Sequence, residues 1–69
     1  MSEIIMKRLR ENEGKVVKIF LIGGFKFQGR VTGIDEGYLE LYEHRRGYRI
    51  IKLSEIKDME VPGEMEGLE

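Results

Sequence analysis

The first dozen residues place their apolar positions at a helical spacing. Ile5 and Leu9 sit one turn apart on a shared face, within a stretch of helix-favouring Ile, Met, Lys, Arg, Leu and Glu. Ser2 is a plausible N-cap and Gly14 a stop signal, so a helix over about 2–12 is predicted. A helix this short is not stable alone and must dock onto something. After Gly14 the period changes to two. Val17, Ile19 and Leu21 alternate with Val16, Lys18, Phe20 and Ile22, which makes a strand with one strongly apolar face. Gly23-Gly24 reads as a two-residue hairpin turn, because both glycines accept positive φ.

The next strand alternates strictly, with Phe25, Phe27, Gly29, Val31 and Gly33 on the inner side and Lys26, Gln28, Arg30 and Thr32 on the outer. Two inner glycines on one long strand allow it to bend where a small barrel closes on itself. Asp35-Glu36-Gly37 is the following turn. Tyr38 to Tyr42 alternates again, with Leu39 and Leu41 inward and both tyrosines outward. Glu43 to Gly47 is a short basic hairpin loop, and Tyr48 to Leu53 a fourth strand. Leu53-Ser54-Glu55-Ile56 is spaced by three and predicts one tight turn before a last short strand with Met59 and Val61. Pro62-Gly63 ends that strand, and 62–69 is expected to be a disordered acidic tail. The prediction is therefore all-β: one domain over 1–61, a small five-stranded bent SH3-like barrel spanning about 15–61 behind a short N-terminal helix.

Length and composition sharpen this picture. A 69-residue chain is one domain with a thin core, burying only about 60% of the surface its unfolded form exposes. Chains of this size usually add disulfides, a metal or a partner subunit. With no Cys and one His, His44, disulfides and thiolate or all-imidazole metal sites within one chain are excluded. No cofactor is expected, and self-association is the remaining reinforcement. Residues 1–52 carry eleven Lys/Arg against seven Asp/Glu, while 53–69 carry one Lys against six acids. The near-neutral total thus hides a basic body, which permits nucleic-acid contact, and an acidic tail. The start, Met1 to Lys7, interrupts its apolar residues with charge and does not read as a signal peptide. The uncharged run Ile19–Phe25 is too short to cross a bilayer, so a cytoplasmic location is expected. A catalytic reading finds no Ser-His-Asp set and no phosphate loop, since Gly23, Gly24 and Gly29 lie in a hairpin rather than before a helix; a non-enzyme is expected.

Residues 9–61 resemble the Sm-like family. Leu9, then Gly14-Lys15 with Val17, Ile19 and Leu21 in alternation, is similar to the family's opening. Leu21-Ile22-Gly23-Gly24-Phe25-Lys26-Phe27-Gln28-Gly29, followed by Val31, Ile34 and Asp35, resembles its first motif. Ile51-Lys52-Leu53 stands where many members carry Ile-Arg-Gly. The resemblance implies a homo-oligomeric ring of six or seven subunits, closed by pairing the fourth strand of one chain with the fifth of the next, that binds single-stranded RNA. Ring closure would also remove the two exposed edges of a half-open barrel.

The family's uracil site has an aromatic or His two residues after the Asp and an Asn four after it. Here those positions hold Gly37 and Leu39, which offer neither a stacking face nor a hydrogen-bonding group, and only Asp35 and Lys52 match. The opposite face matches better. Phe20 to Gly29 is similar to the bacterial RNA-chaperone members, whose corresponding residues line pockets for adenine-rich RNA. By that likeness Phe20 would stack a base, Leu21, Gly24 and Phe25 would shape the pocket, Lys26 would meet phosphate and Gln28 a base edge. An aromatic, a cation and an amide on an exposed sheet make a single-strand platform on physical grounds as well. Phe20 has other uses, covering the docked helix or meeting a neighbouring subunit, and Asp35 has another in holding its turn. His44, Arg45 and Arg46, with Tyr42, Tyr48 and Arg49, form an aromatic-interleaved basic cluster able to hold phosphates. Two functions from different classes follow: an RNA-binding ring in RNA processing or regulation, or a ring scaffold that binds protein instead.

Overall fold

The computed structural model describes residues 3–62. The proposed N-cap Ser2 and the acidic stretch 63–69 lie outside them. A short helix, α1 (Glu3–Glu11), precedes five strands: β1 (Val16–Leu21), β2 (Lys26–Ile34), β3 (Tyr38–Glu43), β4 (Gly47–Lys52) and β5 (Ile56–Glu60). A single 3₁₀ turn, Leu53–Glu55, joins β4 to β5, where the three-residue spacing of Leu53 and Ile56 predicts a tight turn. The strands form one antiparallel sheet in the order β4-β3-β2-β1-β5, bent around its core.

That core is Leu9, Val17, Ile19, Val31, Leu39, Leu41, Ile51, Leu53 and Ile56, all buried. β1 and β3 contribute period-two apolar sets, β2, β4 and β5 add Val31, Ile51 and Ile56, and α1 inserts Leu9, with Ile5 and Met6 packed beside it. Burying Leu9 contributes about 1.5–3 kcal/mol, which is what holds a nine-residue helix that could not persist alone. The end of α1 is tied to the sheet by polar contacts. The buried Asn12 side chain donates to Arg8 C=O (2.7 Å), Gly14 takes φ 84°, and Gly14 N–H donates to Val31 C=O. Arg30 Nη1 also donates to Gly14 C=O (2.7 Å).

Three expectations are corrected. Three residues, 22–24, not two, lie between the hydrogen-bonded Leu21 and Phe25 in the β1–β2 turn. Gly24 N–H donates to Leu21 C=O, Leu21 N–H donates to Phe25 C=O, and only Gly24 takes positive φ (94°). This is a turn followed by a left-handed residue, and the register beyond it still pairs inward Ile19 with inward Phe27. Phe25 lies just before β2 begins at Lys26, past the end of the core, and is 67% exposed with its ring beside Gly23. Second, strict alternation along β2 ends at a bulge at Thr32. Val31 faces Leu41, but Gly33 faces Glu40 and Ile34 faces Leu39, so Gly33 turns outward and Ile34 inward. Only Gly29 serves as an inner glycine. Third, Glu43 continues the inward row of Leu39 and Leu41 as the last residue of β3 and is buried, rather than opening an exposed loop.

Candidate nucleic-acid interface

The register of β1 with its two neighbours builds one outward face. Phe20 lies opposite Lys26 on β2 and Asp58 on β5, Lys18 lies between Gln28 and Glu60, and Val16 lies opposite Arg30. Phe20, Lys26 and Gln28 are thus brought together on the surface away from the core that α1 caps. Phe20 is half-buried and is not among the residues packed against that core, so covering the helix is not its role. Exposed Ile22 and Phe25 extend the apolar patch around the turn that Gly24 makes. Ile22 was not singled out from the sequence, although an apolar residue on the polar side of β1 is itself a signal. Leu21 instead points toward the core and packs against it. The face has a charge gradient, with cations on β2 (Lys26, Arg30) and acids on β5 (Asp58, Glu60).

A cleft of about 600 Å³ opens from this platform toward the β3–β4 hairpin, lined chiefly by Lys26, Gln28, Arg30, Tyr42, His44 and Arg46. Arg46 therefore joins the β2 row, while Arg45 stands at the tip with φ 65° and does not line the cleft. Arg49 turns from the basic cluster to the inner side of β4 and stays partly exposed. It pairs with buried Glu43 and places its guanidinium 4.2 Å from the Phe27 ring centre. The parity of β4 puts Arg49 on the same side as Ile51, where the only favourable neighbours for a cation are a carboxylate and an aromatic face.

Asp35 and Lys52 fall into different depressions. Asp35 Oδ1 accepts from Gly37 N–H (2.9 Å) and Tyr38 N–H (2.8 Å), bonds that hold the β2–β3 turn and keep the carboxyl below its usual 3.8. Its shallow depression includes Glu40 and no cation. Lys52, opposite Tyr38, lines a cleft of about 500 Å³ with Gly37, Ser54, Glu3 and Glu36. Two carboxylates against one ammonium do not favour a phosphate there.

Among the described residues, both outer strands have free edges. Leu53 N–H donates to Gly37 C=O, so by alternation Tyr48, Ile50 and Lys52 turn their backbone groups away from β3. Leu21 faces β2 through its bond to Phe25, so Ile19 does also, and Met59 opposite Ile19 turns its backbone to the β5 edge. There Asp58 Oδ1 accepts from Met59 N–H (2.8 Å). Tyr48 and Ile50 are exposed beside the β4 edge.

A short helix capping five bent antiparallel strands in this order is the Sm-like fold. The solved structure of the pleiotropic translational regulator Hfq has it: the two superpose with a TM-score of 0.75 over 86% of this chain and 91% of that one, at 21% sequence identity. No model of a protein family matches the sequence, and neither does any curated protein.

Proposed function

We propose that this chain is a ring-forming protein that binds single-stranded RNA, with a preference for adenine-rich strands, in RNA processing or regulation. The observation that carries this reading is the row of Phe20, Lys26 and Gln28 on one outward face, offering a stacking ring, a phosphate partner and a base-reading amide. The acid-lined cleft at Lys52 supports the choice of face, as does the absence of a stacking side chain at Gly37. The Hfq-like fold supports RNA as the partner, and a role in binding rather than catalysis. Among the described residues no helix is long and apolar enough to cross a membrane, in keeping with the proposed cytoplasmic role.

Six or seven copies close the ring, the β4 edge of one pairing with the β5 edge of the next. Two free edges and exposed Tyr48 and Ile50 support this assembly. A second reading, a ring scaffold for protein partners, is favoured by the exposed Tyr38, Tyr42, Tyr48 and Ile50 on the outer side of β3 and β4. Filter binding of oligo-A and oligo-U across a salt series, with light scattering for mass, separates the two. Oligo-A should bind tighter, and Phe20→Ala should cost about 1–3 kcal/mol per engaged base with the ring intact. Tighter oligo-U binding, or an unchanged Phe20→Ala, moves the scaffold ahead.

A further inference from the structure

The outward face around β1 is laid out in three columns. Along β1 run Val16, Lys18 and Phe20, with Ile22 just past the strand end, so apolar side chains alternate with a single charge. On the β2 side Lys26 stands opposite Phe20, Gln28 opposite Lys18 and Arg30 opposite Val16. On the β5 side Asp58 stands opposite Phe20 and Glu60 opposite Lys18, while Lys57, at the bulge, pairs with no residue of β1. Lys26 and Asp58 are two strand spacings apart, roughly 10 Å, and neither makes an ion pair among the described residues. Val16 is 41% exposed and Ile22 and Phe25 are each 67% exposed. A base stacked on Phe20 does not reach Val16, four residues and roughly 13 Å away along the strand.

An apolar seam with cations down one flank and acids down the other is complementary to itself. We infer that this face pairs with the same face of a second copy, and that the pairing hides the RNA platform. A two-fold axis parallel to β1 lays the β2 column of each copy over the β5 column of the other. Lys26 then meets Asp58 of the other copy, Gln28 meets Glu60, and the two Phe20 rings meet at the centre. Lys18, the one charge in the seam, has a Glu60 on either side, one from each copy. An axis across the strands at Phe20 would instead set Lys26 against Lys26 and Asp58 against Asp58, so charge selects the first arrangement. These columns hold far fewer side chains than the roughly 20–30 a side of a stable interface, so one contact alone is weak. The ring reading above, on which the strength of the pairing rests, repeats it once per copy on one ring face, and two rings then meet through all the contacts together. Phe20, Lys26 and Gln28 serve both contacts, so RNA and a second ring exclude each other.

The test is sedimentation of the full chain over a range of concentrations, with two charge variants run alone and mixed. Wild type should have the mass of one ring when dilute and twice that mass when concentrated. Oligo-A should return the doubled form to single rings. Lys26→Glu puts acids on both flanks and Asp58→Lys puts cations on both, so each variant alone should keep the single-ring mass throughout. Preformed rings of the two variants, mixed in equal amounts, should regain the doubled mass, because each flank again meets its opposite. Ile22→Ser should lose the doubling over the same range. Ring closure is read in the dilute samples, so the loss of the Asp58 bond to Met59 N–H does not confuse the two steps. A wild type that closes rings but never doubles refutes the pairing and leaves the ring reading standing. Doubling by either charge variant alone, or no doubling in the mixture when wild type doubles, also refutes it. Oligo-A bound to an assembly that stays doubled refutes the shared use of Phe20. A wild type that stays monomeric refutes the ring and the pairing together.

Discussion

Gly29 and Gly33 lie four residues apart on one strand, and alanine at each should move stability in opposite directions. A Cβ at Gly29 would sit 2.7 Å from the Tyr42 carbonyl oxygen, 3.1 Å from its carbon and 3.3 Å from Leu41 Cβ. These atoms have little room to yield. Tyr42 is opposite Arg30 in the β2–β3 ladder, and Leu41 is fully buried. Relief requires β3 to shift by several tenths of an ångström, which strains the core by about 1–3 kcal/mol. Weakening a ladder hydrogen bond adds up to about 1 kcal/mol. The lower entropy of an unfolded chain with Ala returns about 0.4–1 kcal/mol, so Gly29→Ala should lose about 1–3 kcal/mol net. At Gly33 the same atom would meet Glu40 Cβ and Oε1 at 3.6 Å, ordinary contact, and φ there is not left-handed. The entropy contribution then stands alone, and Gly33→Ala should gain about 0.4–1 kcal/mol. For a chain of this size each kcal/mol moves the melting temperature by about 4–8 °C. Thermal and urea unfolding should be followed at one fixed protein concentration, because self-association would shift both midpoints. A neutral or stabilising Gly29→Ala would show that β2 and β3 are not this close, and loss at both positions would refute the bulge that turns Gly33 outward.

Three further outcomes follow from the polar contacts. Arg49→Met leaves buried Glu43 without its partner and should cost about 1–3 kcal/mol by urea unfolding, toward the lower end because Arg49 is partly solvated. Adding Glu43→Gln to that variant should recover much of the loss; no recovery would mean the pair is not what Arg49 contributes. Asp35 is held below its usual 3.8 by the Gly37 and Tyr38 amides, so its stabilising effect is full above that value and disappears as pH falls through the folded-state value. The stability gap between wild type and Asp35→Ala should be constant near neutrality and close in acid; a gap independent of pH would exclude the ionised cap. Asp58→Ala frees the Met59 N–H for strand pairing and should tighten subunit association about 2- to 10-fold by sedimentation, given the worth of one hydrogen bond; weaker association would place β5 away from the interface.

The fold was legible because a sheet with one buried face writes itself in period two. Val17, Ile19, Leu39 and Leu41 needed no structure to be placed inward, and the helix-period pair Ile5 and Leu9 announced a docked helix. The platform was legible for the same reason: residues of opposite parity to a buried row must face out, so Phe20, Lys26 and Gln28 share a surface once β1 pairs with β2. What failed were a strand end and the one point where an inserted residue resets parity. Phe25 keeps the parity of Phe27 but falls outside β2 and so outside the core, while the bulge at Thr32 exchanged Gly33 for Ile34, because strand ends and hydrogen-bond register are decided by pairing partners that no local pattern contains. Charge was the other blind spot. Glu43 and Arg49 look like solvated surface in sequence, and only the pairing of β3 with β4 buries Glu43 and sets the partly exposed Arg49 against it and the Phe27 ring. Likewise nothing local joins Arg46 to Gln28 across the cleft while leaving Arg45 out of it. That distinction belongs to the tertiary structure, since it depends on how the β3–β4 hairpin leans over β2.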